Sequence, residues 1–245
     1  MIKTELHCHT TGPSVCADVT DEQLVLEHFN AGYGAIVITN HINGTFNNYP
    51  APDYKGKVDY FFSSIDRIKE IANKKGIKVF YGAEIVANTD DGIHQEFILI
   101  GFDKEFLYNN NLFRTYNQKG LFELAEKNGL FMFQTHPFRV GEKTGDPKYM
   151  HGAESFNCHY HHDNNNEKAK DFCQKNNLVM LSGNDYHHSG QPLIAGIYLP
   201  EEIENEKQLA QYLLSCQPQI IEDQKACLKS RKDYLASQEQ VKENL

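Results

Sequence analysis

The 245-residue sequence has no excess of positive charge, since 24 Lys and Arg stand against 33 Asp and Glu, for a net charge of −9. This balance disfavours an extended nucleic-acid surface or an anionic membrane as partner, because both attract positive charge. No apolar run approaches the roughly 18 residues of a spanning helix, and residues 1–6 do not begin a leader pattern. We therefore expect a cytoplasmic protein that does not bind membranes.

Cysteine is sparse, and long linkers are missing. The six cysteines are scattered and form no CxxC pair, which predicts reduced thiols in a cytoplasmic setting and excludes a disulfide scaffold. No repeat of fixed period and no long stretch rich in Gly, Pro or Ser divides the chain. A chain of this length can bury a sizeable core without disulfide or metal staples.

Short apolar runs alternate with helical patterns. The runs predicted as strands are 2–8, 35–39, 77–83, 96–102, 130–135, 152–156 and 178–183. The helical patterns cover 20–31, 57–75, 112–128, 165–176 and 204–215. This alternation is typical of an α/β protein with a parallel sheet. Periodicity alone leaves a closed barrel and an open doubly wound sheet both possible.

Histidine, in contrast, is abundant, with 12 in the chain, and several lie at predicted strand ends. His7 and His9 end the first strand and point to the same face, since side chains two apart in a strand do so. Other polar residues at strand ends are His41, Glu84, Glu96, His136 and Asp185. Buried without partners, each would cost about several kcal/mol. Divalent cations would satisfy them, and mixed His and carboxylate ligands favour Zn, Mn or Fe.

Five motifs in this order resemble those of the PHP family, the polymerase and histidinol phosphatase domains. They are ELHCHT at 5–10, ITNH at 38–41, GAE at 82–84, QTHPFR at 134–139 and GNDYH at 183–187. The resemblance covers residues 7 to about 199. It implies a distorted (β/α)7 barrel, with a metal site at the C-terminal ends of the strands and phosphoester hydrolysis as the activity. Residues 1–221 would form this barrel, and 222–245 would be a helical tail that packs on it or extends from it.

Carried over by position, the resemblance implies two or three divalent ions. The metal ligands would be His7, His9, Cys16, His41, Glu84, Glu96, His136, Asp185 and His187. Glu84 would bridge two ions. Cys16 stands where relatives offer His or Asp; a thiolate binds Zn well, and a buried inert thiol is the alternative. His94 is the alternative to Glu96, and Asn40 replaces a common Asp.

The hypothesis for the chemistry is in-line attack of a metal-bridging hydroxide on phosphorus. Arg139 would hold the non-bridging oxygens bidentately. His187 would move a proton to the leaving group where it is not fully occupied as a ligand, and Asn157 would orient the substrate.

The favoured substrate is a small phosphomonoester, either a histidinol-phosphate-like metabolite or a nucleotide. A phosphodiesterase or exonuclease acting on short oligonucleotides is an alternative, although no basic run with interleaved aromatics supports it. Metal-dependent amide hydrolysis and a non-catalytic metal-binding domain are the others. The tract HYHHD at 159–163 is predicted to be a solvated loop and not a ligand set.

Overall fold

A computed structural model describes residues 1–113 and 115–243. Its strands are β1 Ile2–Cys8, β2 Ala35–Ile38, β3 His41–Ile42, β4 Lys78–Val86, β5 Glu96–Ile100, β6 Phe131–Gln134, β7 Gly152–Asn157, β8 Val179–Gly183, β9 Gly196–Leu199 and β10 Gln219–Ile221. Its helices are α1 Asp21–Asn30, α2 Tyr54–Asn73, α3 Lys104–Asn109, α4 Gln118–Asn128, α5 Asn166–Lys175, α6 Glu206–Ser215 and α7 Gln224–Glu243. All seven predicted strands are present; β3, β9, β10 and α3 were not predicted.

Local capping sets the helix ends. The Thr20 side chain accepts a hydrogen bond from the backbone N of Gln23 at the start of α1, as its sequence predicts. Asn117 caps α4 in the same way, so this helix begins at Gln118 and not at the predicted 112. It ends at Gly129, whose φ of 64° lies in the left-handed region that glycine adopts without strain.

Ten strands form one sheet. Nine of them follow the order β10-β9-β1-β2-β4-β5-β6-β7-β8, and β3 pairs with β4 beside this path. The pairs β1-β2, β2-β4, β6-β7 and β7-β8 are parallel. In contrast, β5 runs antiparallel to both β4 and β6. The expectation of a parallel sheet is therefore wrong for β5, because an apolar run carries no information about strand direction.

The sheet curls until its far strands approach β1. The backbone N of His9 donates to the carbonyl of Tyr186, just after β8, and the N of Tyr186 donates to the carbonyl of His7. On the other side, the Ser182 hydroxyl of β8 donates to the carbonyl of Ile221 in β10. The result is a mixed α/β fold with a nearly closed, barrel-like sheet. The strict (β/α)7 count is not shown, because three further strands belong to the sheet.

One apolar cluster lies inside this curled sheet. It draws buried side chains from seven strands, among them Leu6, Val37, Phe80, Ile98, Phe133 and Leu181. Leu209 and Leu213 of α6 pack against the same cluster. Burying each such side chain stabilises the fold by about 1.5–3 kcal/mol. A larger cluster packs α1, α2 and α4 on the outer face.

Because β5 runs in the opposite direction, its first residue lies at the edge of the sheet where the neighbouring strands end. The C-terminal ends of β1, β2, β4, β6, β7 and β8 lie at one edge of the sheet, and the antiparallel pairing sets Glu96 opposite Val86 at that same edge. A strand that begins there can contribute a side chain from its start, as Glu96 does.

The C-terminal helix α7 lies beside this edge. Its Cys227 is buried in a small cluster with Phe156, Cys158 and Ala195, and its Tyr234 stacks on His161. Residues 244 and 245 of the predicted tail lie outside the described residues. Over the described ranges 1–113 and 115–243, none of the helices has the length and apolarity to cross a bilayer.

Candidate metal centre

Glu84 lies at the centre of the predicted ligand set. Its Oε1 is 3.3 Å from His7 Nε2 and 3.4 Å from His136 Nε2. Its Oε2 is 3.3 Å from His9 Nε2 and 2.9 Å from His41 Nδ1. The carboxylate is 1% exposed. Four imidazoles from three segments of the chain thus face one buried carboxylate, which is the position that the resemblance implies for a bridging ligand.

The remaining predicted ligands surround this core in overlapping groups. Donor atoms within 4.8 Å of one another come from His7, His9 and Asp185; from His9, His41 and His187; and from His41, Glu84 and Glu96. His136 Nε2 lies 3.8 Å from Glu96 Oε2. Cys16 Sγ lies 3.4 Å from His41 Nε2. The structure therefore brings all nine predicted ligands to one place.

Several donor atoms are buried without a hydrogen bond from the rest of the described chain. They are His7 Nε2, His9 Nε2 and Glu84 Oε1. Orphaned polar atoms of this kind cost free energy unless something satisfies them. Imidazole nitrogens and carboxylate oxygens are ligands of Zn, Mn and Fe, so the residues present fit divalent cations.

Charge within the cluster sets the protonation of these groups. Although burial opposes it, the charges of His7 and His41 hold the pKa of Glu84 well below its ordinary value. Burial and the neighbouring His187 and His41 lower the pKa of His9. Glu84 is therefore ionised and His9 neutral, and these are the forms that bind metal ions.

A second carboxylate, Glu154, orients the first ligand. Its Oε1 lies 2.9 Å from His7 Nδ1, so a proton on Nδ1 leaves Nε2 free to face Glu84. Its Oε2 accepts from the backbone N of His136 and from the amide of Asn157. No role is predicted for Glu154 from the sequence, because that role depends on the approach of Glu154 in β7 to His7 in β1.

Gly183 makes this approach possible. A Cβ there would lie 2.6 Å from Glu154 Oε1 and 2.6 Å from the Cβ of His7. Because real Cβ contacts are longer than this, only glycine fits between the two side chains. The first position of the motif at 183–187 thus protects the contact between His7 and Glu154.

Two predicted ligands have positive backbone φ angles, which are uncommon for residues other than glycine. His136 has a φ of 28° and Asp185 a φ of 52°. Non-glycine residues adopt such angles at a cost of about 1–3 kcal/mol, often at functional sites.

A further buried carboxylate, Glu5, accepts hydrogen bonds from the backbone N of His7 and of Asn184, which joins the first and last motifs. Sequence reasoning did not assign Glu5 a role.

Arg139 enters the site as the ion-pair partner of Asp185. Its guanidinium pairs with Asp185 Oδ2, and its Nε donates to Asn164 Oδ1 at 2.9 Å. Although burial opposes it, Asp185 raises the pKa of Arg139, so the side chain stays charged. Arg139 also lines a cavity between the predicted ligands, the central cavity, together with Glu84, His136 and Asp185.

Asn157, the predicted substrate contact, lies behind the site. Its side-chain amide donates to Glu154 Oε2 at 2.8 Å and to Asp185 Oδ2 at 3.3 Å. It is 1% exposed and is not among the residues that line the cavity. This placement favours a role in holding the two carboxylates over a direct contact with substrate.

The alternative to Glu96 is also close. The donor atoms of His94, Glu96 and Glu142 lie within 4.8 Å of one another, but His94 is exposed whereas Glu96 is 8% exposed. Glu96 lines the central cavity together with His136 and Glu84. The geometry therefore favours Glu96 as the ligand at the start of β5.

Solved structures with this fold include PHP-like phosphoesterases. The chain is similar to a two-domain protein from Bacteroides vulgatus described as containing a predicted PHP-like metal-dependent phosphoesterase. The identity is 20% and the TM-score 0.61, with coverage of 95% of this chain and 69% of that one. PsfC from Pseudomonas syringae has 15% identity, TM-score 0.66, and coverage of 99% and 98%. The lesion-specific endonuclease PfuEndoQ from Pyrococcus furiosus has 10% identity, TM-score 0.56, and coverage of 89% and 57%.

No protein-family model matches the chain, and no curated protein matches it. At 10–20% identity, the likeness to these structures establishes the fold. The resemblance to PHP-like phosphoesterases that the five motifs predict is thus confirmed at the level of the fold.

Replacing Gly183 by alanine should weaken metal binding. The added methyl group would push Glu154 away from His7, and loss of such an outer-shell partner costs about 10- to 100-fold in metal affinity. Titration calorimetry with Mn²⁺ measures this. Gly44→Ala is the matched control, since its Cβ would enter open space. Equal affinity in the two variants would contradict the role of Gly183.

Metal binding should release a proton from Glu96. Burial and the charge of Glu84 raise the pKa of Glu96 to about 8, so below this pH the folded protein holds a proton that a cation must displace. Affinity should therefore rise as pH is raised through this value. Calorimetry in buffers of different ionisation enthalpy counts the released protons. Glu96→Gln should release one fewer at pH 7, and an unchanged count would show that Glu96 is not a ligand.

Proposed function

We propose that the protein is a metal-dependent phosphomonoesterase. The observation that carries this proposal is the convergence of His7, His9, His41 and His136 on the buried carboxylate of Glu84, with the charged Arg139 beside them. The likeness in fold to PHP-like phosphoesterases supports the same reaction class.

Divalent ions held by the nine ligands would supply Lewis acidity and a nucleophilic water at neutral pH. Zn, Mn and Fe suit these donors, in two or three positions. The protein's own contribution is positioning. Glu154 holds His7 and the backbone of His136, so the ligand atoms are fixed before any substrate enters.

Arg139 would bind the phosphoryl group. Its guanidinium lines the cavity and is held in place by Asp185 and Asn164. A planar guanidinium matches two phosphate oxygens at once and stays charged. Arg139 would therefore offset the negative charge that gathers on the non-bridging oxygens as the ester bond breaks.

His187 would handle the proton of the leaving group. Its Nδ1 lies 2.9 Å from the carbonyl oxygen of Asp185, so a proton there leaves Nε2 directed at the cavity. Cys16 and His41 line the cavity beside it. Where Nε2 is not occupied as a metal ligand and the ring is protonated on both nitrogens, His187 would give its Nε2 proton to the ester oxygen, so that the alcohol leaves neutral.

The volume of the cavity and the net charge of the chain favour a small substrate. The central cavity has a volume of about 240 Å³, which is less than the roughly 300–1,000 Å³ of most ligand sites. The net charge of −9 disfavours a long polyanion. A small phosphorylated metabolite, histidinol-phosphate-like or nucleotide-like, fits both facts.

A phosphodiesterase is the second candidate. The observation that favours it is the likeness in fold to the lesion-specific endonuclease PfuEndoQ. The same ligands and Arg139 would act on a diester, provided that the second ester group can extend out of the cavity.

Two further proposals concern the whole chain. Residues 1–221 would form the catalytic barrel, and 222–245 a tail that packs on it; the burial of Cys227 beside Phe156 supports packing. A cytoplasmic location would suit the six cysteines, all of which are free thiols.

Hydrolysis of a chromogenic phosphomonoester and a phosphodiester, side by side with Mn²⁺ or Zn²⁺, tests the proposal. We expect the monoester to be hydrolysed faster than the diester. In His9→Ala we expect the rate of hydrolysis to fall by at least about 100-fold, because the reacting groups are no longer held in the required geometry. His151→Ala is the control, since His151 precedes β7 at the opposite edge of the sheet. Faster diester turnover would favour the second candidate. Absent turnover with metal bound would contradict both.

Arg139→Lys should lower kcat/KM by about 10- to 100-fold. This loss corresponds to the roughly 1.5–3 kcal/mol of a hydrogen bond to a charged group. Steady-state kinetics and thermal unfolding separate the roles of the side chain. Arg67→Lys, an exposed partner of Asp21, is the matched control. Lower stability with unchanged kinetics would make Arg139 a purely structural ion-pair partner of Asp185.

A further inference from the structure

A second group of histidines lies at the mouth of the cavity, separate from the nine predicted ligands. His159, His161 and His188 each offer a ring nitrogen, and these atoms lie within 4.8 Å of one another. Two of them come from the loop after β7 and the third follows the last motif. The prediction that 159–163 is a solvated loop is wrong for His159, which is 5% exposed.

Contacts hold the rings of His188 and His161 and the backbone of His159 in place. His188 Nδ1 lies 3.0 Å from Asp18 Oδ1, and a carboxylate on one ring nitrogen is the usual device that directs the other toward a metal ion. The His161 ring stacks on Tyr234 of α7, with centroids 4.2 Å apart and planes at 27°. The backbone N of His159 donates to Asn157 Oδ1, which fixes the start of the loop.

One contact would be lost on binding through His159 Nε2. The backbone N of His161 lies 3.3 Å from His159 Nδ1, which can accept its hydrogen bond. For Nε2 to bind a metal ion, the proton of the neutral ring must lie on Nδ1, and this hydrogen bond is then lost. A contact of this length is long for a hydrogen bond, so its loss costs little.

We infer that His159, His161 and His188 form an additional binding site for a divalent transition-metal ion, Zn²⁺ above all. Three imidazoles with an open fourth position are a familiar zinc environment. All three residues line the central cavity, so the open position is accessible to an anionic group within it. This last step rests on the proposed function: the ion would hold a second anionic group of the phosphoester substrate, such as a carboxylate, at the mouth.

Counting bound Zn²⁺ tests this inference independently of hydrolysis. Equilibrium dialysis followed by atomic absorption gives the number of ions per chain for the full-length protein. We expect His161→Ala and His188→Ala each to bind one ion fewer than the wild type. His162→Ala is the matched control, because His162 lies in the same loop and belongs to none of the three-residue groups. His9→Ala should lose central ions and keep the ion at the mouth.

Asp18→Asn provides a second variant that removes no ligand. The Asp18 side chain is 72% exposed, so the fold should tolerate the change. We expect Zn²⁺ to bind at the mouth about 10- to 100-fold more weakly. Equal ion counts in the wild type, His161→Ala and His188→Ala would overturn the inference whatever the hydrolysis assay shows. An additional ion with no hydrolysis would overturn only the proposed function.

Discussion

The structure depends on one buried carboxylate, Glu84, and on the imidazoles that surround it. Burying this many ionisable groups together is unfavourable unless opposite charges or cations compensate. The fold meets this constraint by directing strand ends from several parts of the chain to one point. The contact of Glu154 with His7 and the pairing of Arg139 with Asp185 extend the same compensation outward. The cluster is thus an electrostatic unit, in which each group sets the charge of its neighbours.

Much of the barrel could be predicted because its strands are continuous apolar runs, which mark a strand covered on both faces. The direction of β5 could not, since hydrophobicity is the same read either way. The strands β3 and β10 were missed because two and three residues carry no usable period, and β9 was missed although it is as long as β2 and β6. The start of α4 was misplaced because Asn117, a capping residue, lay inside a run that otherwise looked helical.

The site divides in the same way. Ligands within motifs were identified because strand geometry and order along the chain restrict where they can lie. Residues that act through others were not, and Glu154, Glu5 and Asp18 are examples. Glu154 contacts His7, Asp18 contacts His188 and Glu5 contacts Asn184 only because distant segments meet. A single sequence contains no record of that meeting. The burial of His159 was missed for the same reason, since His187, which its ring contacts, lies far away along the chain.

The reversal of β5 has a consequence for how this fold acquires new specificities. Residues 87–95 leave β4 and enter β5 at the same edge of the sheet. Elsewhere in a barrel of this kind, a segment at that edge must lead on to a helix and then to the opposite edge. Here, insertions can lengthen a single rim loop without moving a helix or a strand register. Added length in a flexible loop costs little stability, so we expect differences among proteins with this fold to be frequent at this loop.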